Sequence, residues 1–282
     1  MGHSRAARTG AHPKHVTRAL LLAAALALGA ASYPAGDLAA QPTPAAAAPP
    51  ARRAPWATGE YLEYSLKYGV ISAGSGRMQV LGRDTVRGRD AWHLMFDFSG
   101  GFMWMRVNDV FESWLDAETH NSLRFEQRLS ELGKKRNRVY EIFPDRSMFR
   151  LNDDPEKPSV PNPLDDAAFF YFVRTIPLEV GQSYQFDRYF DPRANPVTIR
   201  VLRREQVDVP AGKFNAIVIQ PMIKTNGIFS EGGHAELWLS DDDRRILLQM
   251  KSKLPFGSLN LYLRKLTLPP LGPADTTPGR TP

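Results

Sequence analysis

The sequence predicts a mainly β protein: a strongly curved antiparallel sheet or open barrel, with one principal helix (about 164–175) against its concave face. Three observations carry this. From Trp56 to Leu268 apolar and polar residues alternate over most of the chain, the period of a half-buried strand. The alternating runs are short and bounded by turn residues. One stretch, 164–175, breaks the rhythm with four consecutive aromatic residues, Phe169 to Phe172. A dozen or so strands with one helix, and no solenoid or propeller repeat, fit a single curved sheet.

The first strand places Leu62, Tyr64, Leu66 and Tyr68 on one face, with Glu63, Ser65 and Lys67 on the other. Gly69 and Gly74 punctuate the pattern, which resumes at 76–81. Trp92, Leu94, Phe96 and Phe98 form the next apolar face, and Gly100-Gly101 is expected to break it. Strands follow at 106–115, 122–129, 134–143 and 147–151. After the helix they resume at 184–190, 197–207, 214–223, 235–239, 246–253 and 258–266. Ser240 to Arg244 and Pro210-Ala211-Gly212 supply turn chemistry between apolar runs.

For the helix, Asp165 is a good N-cap and Asp166 adds negative charge to the first turn. Ala167 and Ala168 favour helix, Arg174 falls in the last turn and Pro177 ends the element. Ala168, Phe169, Phe172 and Ile176 then make one apolar stripe. The competing reading is a buried strand at 168–173, because short apolar runs do not distinguish the two by period.

Cysteine is absent, which excludes disulfides, thiol nucleophiles and zinc–thiolate sites. The formal charge is +6, but residues 1–40 carry Arg5, Arg8, Lys14 and Arg18 against Asp37, a surplus of three, leaving +3 for the rest. No nucleic-acid partner is expected from so small a surplus. Residues 1–40 have the basic, apolar and small-residue parts of a secretory signal peptide. An uncleaved anchor is the alternative, and a periplasmic or extracellular location follows from the first reading. No cysteine follows the apolar run, so lipid attachment there is excluded. Residues 41–55 are a Pro/Ala-rich linker, 56–268 a single β-rich domain and 269–282 a disordered tail by composition.

Several segments resemble one family. Tyr61 to Gly69 with Ala73-Gly74, Val110 to Asp116 with Arg124-Phe125, the helix with Arg174-Thr175, Val209 to Phe214, and Leu237 to Arg245 are similar, in order, to the DUF3108 family of exported bacterial proteins. The resemblance spans residues 56–266. It implies an envelope location and a mainly β fold, and it supplies no catalytic residue. A looser architectural likeness is to half-barrel lipoprotein carriers, whose curved sheet holds acyl chains under helices.

No catalytic residue, metal site or cofactor is nominated. Ala73-Gly74-Ser75-Gly76 resembles part of a nucleophile elbow but lies between strands without a following helix. His93, His120 and His234 lack metal-ligand spacing. Asp241-Asp242-Asp243 lacks the glycine and later glutamate of a calcium loop. A glycosidase-type carboxylate pair stays open, since separation in space is not readable. Arg124, Arg128, Arg136 and Arg138 form a candidate anion site if their strands pair, or else a solvated edge kept soluble by charge. Phe102-Met103-Trp104-Met105 is a pocket lip, a membrane contact or core. With Tyr64, Tyr68, Trp92, Phe96, Phe98, Phe169 and Phe172, the residues Phe102 and Trp104 make up the candidate ligand-binding set. The function expected is non-enzymatic binding of an apolar or lipid-like ligand. The alternatives are an assembly factor binding another envelope protein, and a hydrolase with an unrecognised carboxylate site.

Overall fold

A computed structural model of the protein describes residues 54–102, 105–131, 134–223, 234–254 and 257–271. Among them fourteen strands form a single sheet. The first eight are β1 (Tyr61–Tyr68), β2 (Ile71–Val86), β3 (Arg89–Phe102), β4 (Met105–Asp116), β5 (Ser122–Glu131), β6 (Lys134–Phe143), β7 (Met148–Leu151) and β8 (Lys157–Pro158). Among the described residues a single α-helix, α1 (Asp166–Phe172), follows. The remainder are β9 (Ser183–Phe186), β10 (Val197–Val209), β11 (Gly212–Met222), β12 (His234–Ser240), β13 (Leu247–Leu254) and β14 (Gly257–Thr267).

The sheet is two meanders joined at a seam. Strand order runs β8 back to β1, then β14 back to β9, and every neighbouring pair is antiparallel. The seam is the pairing of β1 with β14, which sets Tyr61 opposite Thr267. The outermost strands, β8 and β9, are not paired with each other, so the sheet stays open. The chain between them bridges the gap. Leu164 and Tyr189 form an isolated parallel bridge, and the Phe190 ring lies 5.1 Å from both Tyr140 and Phe149.

The alternation reads as expected in the long strands. Leu62, Tyr64 and Leu66 are buried while Glu63 and Ser65 are half-buried, and one apolar cluster runs through both meanders. The helix forms and is capped as its first residues require. The Asp165 carboxylate accepts from the Ala167 and Ala168 N–H groups at 2.9 Å each. It is shorter than 164–175, because Leu164 is committed to its bridge with Tyr189. All seven of its residues are buried, so the single apolar stripe is corrected to burial all round.

Three other expectations are corrected. The run at 184–190 is strand only to Phe186, after which the chain leaves the sheet to make the bridge. Arg174 lies beyond the last helical turn and serves a buried ion pair instead of the helix dipole. Gly74 and Gly100-Gly101 do not interrupt β2 or β3. Gly74 pairs with Gly100 across them, and a Cβ on Gly100 would sit 2.0 Å from the Ala73 carbonyl oxygen. One on Gly74 would sit 2.3 Å from the Ser99 carbonyl oxygen, and its φ of +141° also suits only glycine. The glycines therefore permit close approach of two backbones. Gly100→Ala is expected to cost about 1–3 kcal/mol by overpacking, read as a lowered urea midpoint; an unchanged midpoint would refute this account.

Candidate functional site

Register assigns the residues of the inner face. Leu62, Tyr64 and Leu66 pair with Met78, Gly76 and Gly74, and these pair with Phe96, Phe98 and Gly100. Phe96 in turn opposes Phe111, Phe111 opposes Gln127, and Phe125 opposes Tyr140. An aromatic row results, crossing five strands from β3 to β7. Its ring centroids step from Phe96 to Phe98 at 4.4 Å, to Phe111 at 6.4 Å, to Phe125 at 6.3 Å, to Tyr140 at 5.8 Å and to Phe149 at 6.5 Å. Phe170 of α1 meets Phe96 edge-on at 5.2 Å, which places the helix on this face.

Polar groups fasten the helix at one end of the trough. Ser113 Oγ donates to Asp165 Oδ2 at 2.6 Å, and the Asp165 N–H donates to Ser122 Oγ at 2.9 Å. Tyr189 OH donates to Asp166 Oδ1 at 2.9 Å. Burial pushes the Asp165 carboxyl up to about 6, against the pull of its donors. Burial, with the neighbouring Asp165 charge, pushes Asp166 up to about 8 although Tyr189 opposes it. Past the helix, Arg174 forms a two-pronged ion pair with Glu60 at 2.6 and 3.0 Å, both side chains 1% exposed.

The candidate pocket residues do not form one site. Tyr64 is wholly buried, with its hydroxyl donating to the Leu247 carbonyl at 2.9 Å. Phe96, Phe98, Phe169 and Phe172 are buried core, and Phe172 packs on Phe186 at 5.0 Å. Half-buried Trp92 lies at the helix end against Trp56, at 6.3 Å. Half-buried Tyr68 lies at the opposite end of the trough, across from Leu259. Phe102 ends β3 and Met105 opens β4; Met103 and Trp104, and the side chains of all four, lie outside the described residues.

The four arginines are likewise divided. Strands β5 and β6 pair, but Arg124 opposes Glu141 and Arg128 opposes Asn137, whereas Arg136 opposes Leu129 and Arg138 opposes Gln127. Arg124 and Arg128 therefore share the outer face. There they are neutralised, Arg124 by Glu141 at 2.7 Å and Arg128 by Glu112 and Glu126. Arg136 and Arg138 belong to the inner face beside Tyr140. The expected four-arginine patch does not form.

Two inner-face residues escaped the sequence reading. Asp109 opposes Phe98 and is fully buried; its Oδ1 accepts from the Ser130 N–H at 2.8 Å, and its Oδ2 has no partner among the described residues. Burial raises its carboxyl despite that donor. Gln127, 2% exposed, has an Oε1 without a partner among the described residues. Each interrupts an apolar inward series, Val107-Asp109-Phe111 and Phe125-Gln127-Leu129, and that interruption is the signal that could have found them. Among the described residues no three His, Asp or Glu side chains could hold a metal ion, and no helix is long and apolar enough to cross a membrane.

A family described as protein of unknown function, DUF3108, matches residues 63–264. No curated protein matches the chain. Among solved structures, a β-barrel-like protein of the DUF1849 domain from Brucella abortus aligns with TM-score 0.52 at 12% identity, covering 78% of this chain and all of that one. A candidate lipoprotein from Parabacteroides distasonis aligns with TM-score 0.36 at 12% identity, covering 77% of this chain and all of that one. The first bears on the fold, which is β-barrel-like; the second is too distant for any argument.

Proposed function

The chain belongs to the DUF3108 family of proteins of unknown function, and from its geometry we propose that it is an exported envelope protein holding an apolar or lipid-like ligand against the inner face of its sheet, without catalysing a reaction. One observation carries the reading: fourteen strands curve around a helix of only seven residues. Side chains alone fill a barrel of about eight strands. On this reading the wider trough, with its apolar inner face, takes a ligand in beside its own side chains. The helix closes one end, by Asp165 on Ser113 and Arg174 on Glu60. The ligand enters at the other, where Val70 and Ile71 are exposed at the β1–β2 turn.

Native mass spectrometry of the protein purified from the envelope of its host tests this. A stoichiometric apolar molecule is expected, and its extraction should lower Tm by mass action. Protein that is ligand-free as isolated, with solvent extracts matching a control protein, would end the proposal. Mass-spectrometric sequencing of the same sample checks export: a mature N-terminus between residues 31 and 41 is expected, and an intact Met1 would overturn the cleaved leader.

A further inference from the structure

The inner face is largely apolar, and away from the helix it carries a compact polar group on β4, β5 and β6. Asp109 on β4 and Gln127 on β5 are diagonal neighbours, since Phe111 opposes Gln127 and Asp109 lies two residues along from Phe111. On β6, Arg138 stands opposite Gln127, and Arg136 opposite Leu129. The group spans three adjacent strands, about 10 Å across.

Two of its atoms, Asp109 Oδ2 and Gln127 Oε1, are buried acceptors with no hydrogen-bond partner among the described residues. Buried polar atoms are nearly always paired, and an orphan of this kind is costly to the fold. Here two orphans lie side by side on the face that lines the trough. Both accept, so what completes them must donate. Beside them stand two cations. A guanidinium carries five N–H donors, so each has several to offer a ligand. Whereas the outward Arg124 and Arg128 are ion-paired, Arg136 and Arg138 are in no ion pair among the described residues. The group lies toward the end remote from the helix, with Phe98 and Phe111 next to it on the way inward.

We infer that Asp109, Gln127, Arg136 and Arg138 form the headgroup subsite for an anionic amphiphile whose headgroup also carries a hydroxyl or amine donor. The anionic group meets the two guanidinium groups, the donor completes Asp109 and Gln127, and the tail runs inward along Phe98 and Phe111. This rests on the ligand-holding function proposed above and adds the class of ligand.

The test uses two probes with the same fluorescent acyl chain, a lysophosphatidylglycerol and a methyl ester, each below its critical micelle concentration. Wild-type protein is expected to bind the lysophosphatidylglycerol at least about tenfold more tightly, the size of effect that charge-assisted hydrogen bonds in a buried site supply. Gln127→Leu, and separately Arg136→Gln with Arg138→Gln, should remove most of that preference while leaving methyl ester binding unchanged. Gln127→Leu should also hold or raise the Tm of the empty protein, because it deletes an unpaired acceptor. Equal binding of the two probes by wild type, a preference that survives both variants, or a fall in Tm on Gln127→Leu would overturn the subsite alone. If neither probe binds, the ligand-holding function falls, and the subsite with it.

Discussion

Replacing Arg174 with alanine is expected to lower the free energy of unfolding by about 3–5 kcal/mol, the cost of stranding one partner of a buried ion pair. The guanidinium donates to Glu60 Oε1 at 2.6 Å, to Glu60 Oε2 at 3.0 Å, to the Pro55 carbonyl at 2.9 Å and to the Arg244 carbonyl at 2.8 Å. One side chain thus ties the start of the fold, the end of the helix segment and the β12–β13 turn together. Its loss leaves a carboxylate that is 1% exposed, with Arg244 Nη1 3.8 Å away as the remaining cation. Removing both charges is a different experiment. Glu60→Leu with Arg174→Met should recover a large part of the loss, because well-packed apolar replacements of buried pairs are often neutral. Urea unfolding of the three variants measures this; an Arg174→Ala loss below about 1 kcal/mol, the value of an exposed pair, would contradict it.

Stability should fall as pH rises from about 4 to 8. The carboxyls of Asp165 and Asp166 are pushed up to about 6 and about 8 in the folded protein by burial. In the unfolded chain both return to about 3.9. Between those limits the folded state holds protons that the unfolded state has released, so ionisation favours unfolding. Each unit of pH costs up to about 1.4 kcal/mol per group over its own window. Below pH 4 the penalty is absent, and above pH 8 it is complete. Asp166→Asn keeps an acceptor for the Tyr189 hydroxyl and cannot ionise, so it should flatten the profile and exceed wild type at pH 8.5. Chemical denaturation at pH 5 and pH 8.5 compares them. A wild type that is more stable at the higher pH, or a variant with an unaltered slope, would show that Asp166 is not the group responsible.

Much of the fold was legible because the sheet's face is written in alternating side chains, as in Leu62, Tyr64 and Leu66. The helix start was legible because Asp165 caps locally. The glycines misled because their reason lies across the sheet: Gly74 and Gly100 need each other, and no local pattern shows a partner backbone. Arg174 misled in the same way, its partner Glu60 being distant in sequence. The division of the arginines was within reach. Glu131 pairs with Lys134, so even-numbered residues of β5 face odd-numbered residues of β6, and Arg124 and Arg136 must take opposite sides. That inference needs the hairpin register, which hydrophobic pattern alone does not supply. The site was less legible than the fold. A buried aspartate or glutamine reads in sequence as an ordinary surface residue until the parity of its strand is known.

The seam between β1 and β14 has a kinetic consequence. The seam ladder, from Tyr61 with Thr267 to Tyr68 with Leu259, joins the first and last strands of the fold. Closing so large a loop ahead of any reward from contact makes folding slow, in the millisecond-to-second range of non-local β proteins. Each meander can zip its own hairpins as it emerges, but the two inner faces join into one core only when the last strand arrives. During synthesis the two inner faces therefore wait for each other, and the core they share is the last part of the fold to close.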